Sequence, residues 1–380
     1  MWHPAELRLF IDITTKCNVG CPMCHRTNPD GCGTADWLPD IDWSIEQFKQ
    51  AYPENVCKAT REFNICGTWG DPIINKDILK IVRYIREVNN DATILINTNG
   101  SLRNDDFWWE LGTIGGKKLE VIFAVEGINQ EMHERYRQKS FLKKVLNNMT
   151  ILSNTPAKIV TQTIAFKHNE HYLKDIELMC REHGSTHHYI IETNRFSKGP
   201  VYEFVNAKGL PDKLEQPFLN IKESYEKDKD RPNEEIRVIE IDSPQRTKFK
   251  KSTKLKTSIK LSNRKPENLS IPKDDLQISC AWANRNRILI NPDGQVLPCC
   301  YVCNPYFENN DDIMHKHELI KDYKEKDKDY NVFNRNLLDI IKTPWFKKDL
   351  KDSFTTNPLK QCVTFCSKNK KSQKYGIEND

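Results

Sequence analysis

Three cysteines stand together near the start of the chain, spaced C-x3-C-x2-C in Cys17-Asn18-Val19-Gly20-Cys21-Pro22-Met23-Cys24. One short loop with three soft thiolates can hold three irons of a [4Fe–4S] cube and leave the fourth iron open to a small chelating ligand. Zinc is the competing occupant, closed by a fourth ligand such as His25 or Cys32. A second group lies toward the other end: Cys280, Cys299, Cys300, Cys303, Cys362 and Cys366. The remaining four, Cys32, Cys57, Cys66 and Cys180, read as buried thiols. In all there are 13 cysteines among 380 residues, and no charged-then-apolar leader opens the sequence. The expectation is a cytoplasmic protein whose thiols serve metal rather than disulfides.

These thiols need a scaffold, and residues 7–193 read as alternating strands and helices. Leu7–Ile13, Glu62–Cys66, Thr93–Asn97, Leu119–Val125, Lys158–Phe166 and His187–Glu192 are the apolar, strand-like runs. Between them, Asn75–Val88 carries Ile78, Leu79, Val82, Ile85 and Val88 at helical spacing. Gln130–Arg137, Leu142–Leu152 and Glu170–Glu182 also read as helices, the last stopped by Gly184. Strands alternating with helices imply a parallel sheet. Six repeats are too few for an eight-stranded barrel, so the expected fold is α/β, a partial (β/α)6 TIM-type barrel. Its chemistry then belongs at the carboxyl ends of the strands, where the first cysteine cluster falls.

Composition narrows the class further. Lys and Arg number 58 against 53 Asp and Glu, a net charge of +5, too small to argue for nucleic acid. No apolar run approaches the roughly 20 residues that cross a bilayer, so no membrane is expected. Arg246–Lys265 holds nine Lys or Arg and no acid. Lys254, Lys256, Ser258 and Lys260 alternate there with Leu255, Thr257, Ile259 and Leu261, as in a lysine-faced hairpin, and Ile236 and Val238 suggest its partner strand. Phe249 is the one aromatic in that window, too few for stacking bases. After about residue 278, Arg287–Asn291 and Gln295–Pro298 read as strands around Pro292-Asp293-Gly294, and a helix is expected near Leu337–Ile341.

The first cluster, preceded by Asp12-Ile13-Thr14-Thr15-Lys16, closely resembles the opening of the radical S-adenosylmethionine (SAM) superfamily. The resemblance implies a [4Fe–4S] cluster on Cys17, Cys21 and Cys24 whose free iron takes SAM. Gly67-Thr68-Trp69-Gly70-Asp71-Pro72 is similar to the family's Gly-Gly-Glu-Pro motif, implying Gly70, Asp71 and Pro72 at the methionine amine, with Asp71 one methylene shorter than Glu. Asn97-Thr98-Asn99-Gly100 is similar to the Thr-Asn-Gly signature, implying Thr98 and Asn99 beside SAM. Ala124-Val125-Glu126-Gly127 stands where relatives have Ser-x-Asp-Gly, so Glu126 is expected to accept the ribose hydroxyls.

The pattern Cys280-x13-Gly294-x4-Cys299 resembles the start of SPASM and twitch domains, extensions that hold auxiliary clusters. Four ligands, Cys280, Cys299, Cys362 and Cys366, are assigned to one auxiliary [4Fe–4S] cluster, with Cys300 as the alternative to Cys299 and zinc as the alternative metal. The resulting division is a radical SAM core (1–199), a lysine-rich insertion with a β-hairpin (200–275) and a small auxiliary-cluster domain (276–380). The resemblance implies one-electron cleavage of SAM to a 5′-deoxyadenosyl radical that takes hydrogen from a substrate C–H bond. It implies an electron donor such as flavodoxin or ferredoxin. The substrate is a peptide or protein to be oxidised or crosslinked, or a small molecule to be dehydrogenated. The competing reading is a non-catalytic, metal-stapled binding protein of the same fold.

Overall fold

The computed structural model describes residues 2–193, 195–196, 199–219, 238–241, 277–309 and 312–367. Six strands alternate with helices as the apolar pattern requires: β1 (Leu7–Ile11), β2 (Thr60–Ile65), β3 (Thr93–Thr98), β4 (Leu119–Ala124), β5 (Lys158–Ile164) and β6 (His187–Thr193). All five pairings along this series are parallel. The covering helices are α1 (Ile45–Ala51), α2 (Glu54–Ala59), α3 (Ile78–Val88), α4 (Asp105–Gly115), α5 (Gln130–Glu134), α6 (Leu142–Ser153) and α7 (Leu173–Glu182).

Alternation in β1 and β3 is strict. Leu7, Leu9 and Ile11, and then Ile94 and Ile96, are buried on the face that meets the helices. On α3 the buried face is Ile78, Ile81, Val82 and Ile85, the spacing of one helical stripe. Caps were less legible. Ser44 and Gln47 close a reciprocal capping box on α1. Asn104 accepts the Phe107 amide 3.1 Å away to start α4, whose first turn carries Asp105 and Asp106 toward the positive end of the helix.

The sheet runs beyond the six repeats at both edges, in the order β11-β10-β1-β2-β3-β4-β5-β6-β9. At one edge β10 (Arg287–Ile290) lies parallel to β1, from Arg8 opposite Arg287 to Ile11 opposite Ile290, and β11 (Val296–Leu297) returns antiparallel to it. At the other edge β9 (Val238–Ile241) lies parallel to β6. Val238, expected in the partner strand of a lysine-faced hairpin, lies in this strand of the main sheet. The lysine-rich stretch itself lies outside the described residues. The hairpin observed in the insertion is β7 (Val201–Val205) with β8 (Pro211–Glu215).

Beyond β11, short helices pack a second aromatic centre. Tyr323, Tyr330, Trp345 and Phe346 meet edge to face or stacked at centroid distances of 4.8 to 6.2 Å. Trp2, beside β1, joins it through Phe346 at 5.8 Å. The Trp345 indole N–H is satisfied by the Leu319 carbonyl at 2.8 Å. Trp345→Ala therefore removes both packing and a paired donor. Stability is expected to fall by about 3–5 kcal/mol, read as a lower urea midpoint.

Candidate active site

The three N-terminal cysteines lie in the loop between β1 and α1, and the loop is tied at its base. Trp43 N–H bonds Ile13 O at 2.9 Å and Thr15 N–H bonds Ile41 O at 2.9 Å. Inside the loop, Cys24 N–H bonds Cys21 O at 3.0 Å, and buried Arg26 donates to Val19 O at 3.2 Å. From outside, Arg195 donates to Met23 O at 2.8 Å and the Tyr202 hydroxyl to Pro22 O at 2.9 Å. Burial pushes the Cys17 thiol up to about 12, with Asp71 adding to it, and the Cys21 thiol up to about 11. Neutral thiols of this kind give up their protons when a metal takes the sulfur.

The second loop follows β2. Gly70 lies against the cysteine loop so closely that a Cβ there would stand 2.4 Å from Thr14 O and 2.7 Å from Lys16 O. Only glycine permits that approach. Asp71 N–H then bonds Lys16 O at 2.7 Å. Asp12, at the end of β1, is buried and its Oδ1 accepts the amides of Thr68 at 2.9 Å and Trp69 at 3.2 Å. Its Oδ2 has no partner, and burial pushes the carboxyl up to about 7.

The third loop follows β3 and meets the other two. Thr98 Oγ1 donates to Asp71 Oδ1 at 2.9 Å, and Asn99 N–H to Asp71 Oδ2 at 2.8 Å. The Asn99 side-chain amide also donates to Asp71, reaches Asn18 Oδ1 at 2.9 Å, and lies 3.9 Å from the Cys17 sulfur. Ile73 N–H adds a further bond to Asp71 Oδ1 at 3.2 Å, with Asp71 capping the short turn that Pro72 begins. A carboxylate offers about four lone-pair sites, and here they are taken by the protein itself. Asp71, expected to hold the methionine amine, thus acts in this structure as the knot joining all three loops. Burial raises its pKa, opposed by these donors.

Glu126, expected at the ribose hydroxyls, is 0% exposed in this structure, and both its oxygens accept from Arg137, from Nε at 2.8 Å and from Nη2 at 2.8 Å. Arg137 had no motif to announce it, lying eleven residues on and past α5, yet its Nη1 lies 3.5 Å from the Cys21 sulfur.

At the other end, Cys280 caps a short helix at Ala281–Asn284, Cys299 precedes the helix Cys300–Glu308, and Cys362 and Cys366 lie on Lys360–Cys366. Ser279 N–H bonds Cys366 O at 2.9 Å, bringing the first and last cysteines of the set together. Burial drives the Cys299 thiol well above its ordinary range, with Cys300, Cys280, Cys362 and Cys366 all close enough to add to it. Cys303 donates to Asn291 Oδ1 at 2.7 Å.

The donor chemistry at both ends fits an iron–sulfur group. All thirteen cysteines are free. The two neighbours considered as a fourth zinc ligand are turned elsewhere. His25 Nδ1 lies 2.6 Å from Glu308 Oε1, and the Cys32 thiol donates to Val205 O at 3.3 Å.

Comparison with known proteins agrees with this geometry. The family model described as the radical SAM superfamily matches residues 11–180. Residues 11–180 are thus similar to a radical SAM domain. The cofactors of such domains are a [4Fe–4S] cluster and SAM, and their reduction needs an electron donor. A GTP 3',8-cyclase from Campylobacter jejuni is 24% identical over 294 residues, 77% of this chain and 80% of that protein. One from Campylobacter lari is 25% identical over 166 residues, and there the match spans only 47% of the relative's length. Among solved structures, Streptococcus suis SuiB bound to precursor peptide SuiA superposes with a TM-score of 0.57 at 11% identity, covering 93% of this chain and 68% of that one. The radical SAM fold is thus shared with distant relatives. No helix among the described residues is long and apolar enough to cross a membrane.

The half-satisfied carboxyl of Asp12 gives a pH signature. Its pKa is raised from 3.8 to about 7 on folding, so the folded state binds the proton more tightly. Stability is full below about pH 4 and is lost as pH rises through 7, by roughly 4 kcal/mol. Asp12→Asn keeps the Oδ1 acceptor and removes the charge. In urea titrations the difference in stability between the natural chain and this variant is expected to move in the variant's favour from pH 5 to pH 8.

Proposed function

We propose that the chain is a radical SAM enzyme that cleaves SAM reductively and takes a hydrogen atom from a substrate C–H bond. The observation that carries this reading is the meeting of three loops, each from the carboxyl end of a successive strand. Cys17, Cys21 and Cys24 come from the first, Gly70, Asp71 and Pro72 from the second, and Thr98 and Asn99 from the third. When bound, the cluster and SAM supply an electron and a 5′-deoxyadenosyl radical. The chain supplies placement. Asp71 fixes Thr98 and Asn99 against the cysteine loop, and exchanging one of its present donors would free an acceptor for the methionine amine. Val19, Met23, Tyr136, Phe166 and Phe196 pack around Cys21 and keep water from the reacting groups.

We further read Cys280, Cys299, Cys362 and Cys366, with Cys300 as the alternative to Cys299, as holders of one auxiliary [4Fe–4S] cluster in a SPASM- or twitch-like unit. The division into 1–199, 200–275 and 276–380 follows that reading, and flavodoxin or ferredoxin is the proposed donor.

For the substrate, an anionic small molecule has more support than a peptide. Arg8 and Arg287 are direct partners on adjacent strands, two like charges that one carboxylate, Glu62, offsets only in part. Arg285 adds to the same field, Glu62 lies 3.8 Å from Arg8, and Cys300 of the second cysteine set is close by. Arg287 stacks over Phe10, whose ring meets Trp282 at 4.7 Å, a platform suited to a flat ring. The cyclase relatives make GTP the first compound to test.

Two measurements test the activity and the substrate. Anaerobically reconstituted protein with dithionite and SAM is expected to yield 5′-deoxyadenosine and about eight irons per chain, and Cys24→Ala to abolish the product. Full iron without SAM cleavage would leave the non-catalytic binding protein. Arg287→Ala is expected to weaken GTP binding about tenfold in equilibrium dialysis. Binding of GTP that does not change would return the peptide to first place.

A further inference from the structure

Glu126 and Arg137 form a buried bidentate ion pair whose free edge faces the cluster loop. Both oxygens of Glu126 hold the guanidinium, at Nε and Nη2, which leaves Nη1 to meet Cys21 Sγ at 3.5 Å. The Arg137 side chain is 14% exposed and that of Glu126 is 0% exposed, so neither charge is dissipated in solvent.

The pair is itself held rigidly. Glu126 N–H donates to His133 Nδ1 at 3.3 Å, and Asn169 donates to Glu126 O at 3.1 Å. His133 Nε2 lies 3.0 Å from Ser140 Oγ, so the network assigns the ring proton to Nε2. Gly127 allows this packing, since a Cβ there would stand 2.5 Å from His133 N. Beyond that network, Arg137 Nη1 reaches the sulfur of a cluster ligand.

We infer that Glu126 and Arg137 set the reduction potential of the N-terminal cluster, acting through a hydrogen bond from Arg137 to the Cys21 sulfur. The inference rests on the radical SAM reading above. Reduction adds one negative charge to the cluster and its thiolates. An N–H donor aimed at a ligand sulfur stabilises that reduced state more than the oxidised one and raises the potential. Glu126 opposes it with its own charge while fixing the guanidinium in place. Arg137 is a positioning residue for charge, not a ligand, and the two members act with opposite sign.

That opposition makes the test. Full-length protein is reconstituted anaerobically and titrated by EPR, and the signal that changes on adding SAM identifies the N-terminal cluster. Arg137→Lys keeps a charge but loses the fork that serves Glu126 and Cys21 together. It is expected to lower the potential by about 59 mV, a tenfold change in the one-electron equilibrium. Glu126→Gln is expected to raise it. The paired variant Glu126→Gln with Arg137→Gln leaves no buried charge unmatched, and its potential is expected below that of Glu126→Gln alone. Equal potentials in all of these, or shifts of the same sign in both single variants, would overturn the inference while leaving the radical SAM reading intact. A chain that binds no SAM-responsive cluster would overturn both.

Discussion

The carboxyl end of the sheet is organised around Asp12. Its amide bonds Ile290 O on β10 at 3.2 Å, while its Oδ1 gathers the amides of Thr68 and Trp69 beyond β2. One residue therefore joins the strand before the first cysteines, the loop carrying Gly70 and Asp71, and the strand that leads to the second cysteine group. Burying a carboxyl with one oxygen unpartnered is unfavourable, and the fold accepts it at the point where three strands must end in register. From that point the cysteine loop can close on itself through Trp43 and be received by Gly70.

A second consequence is that the two cysteine groups are not on independent bodies. Trp43 donates its indole N–H to Pro292 O at 2.6 Å, so the base of the first cysteine loop is tied to the turn between β10 and β11. The helix Cys300–Glu308 begins beside one thiolate set and ends at His25, the residue after Cys24. Trp69, Trp37 and Phe307 fill the space between them with rings 5.0 to 6.1 Å apart. Such packing holds the two cysteine groups at a fixed separation.

Much of this was legible in the residues. The six strands followed from apolar runs, near-continuous in Leu119–Ala124 and alternating between buried and half-buried in Thr93–Thr98. The cysteine spacing and the glycine- and asparagine-bearing loops were readable because each uses short, local chemistry. What could not be read were contacts between distant residues. Arg137 reaches Cys21 across more than a hundred positions, and no local pattern marks it. Asp71 and Glu126 matched motif positions, yet their partners were decided by neighbours brought in from other strands. The edge that Val238–Ile241 joins was not readable either, since a four-residue strand carries no sign of its neighbour.

The parallel pairing of β1 with both β2 and β10 bears on how the chain is made. Leu9 finds Phe63 within the first stretch to be synthesised, but its other neighbour, Ile288, lies almost three hundred residues along. At ~5–20 residues per second, a ribosome would need on the order of 15–60 s to deliver that partner. During this interval β1 has one open edge, an invitation to pair with other chains. The nascent barrel would have to wait, with its cysteine loop formed and its seam unclosed, until the last quarter of the polypeptide emerges. Proteins built this way have slow, non-local folding steps and gain from chaperones at that stage.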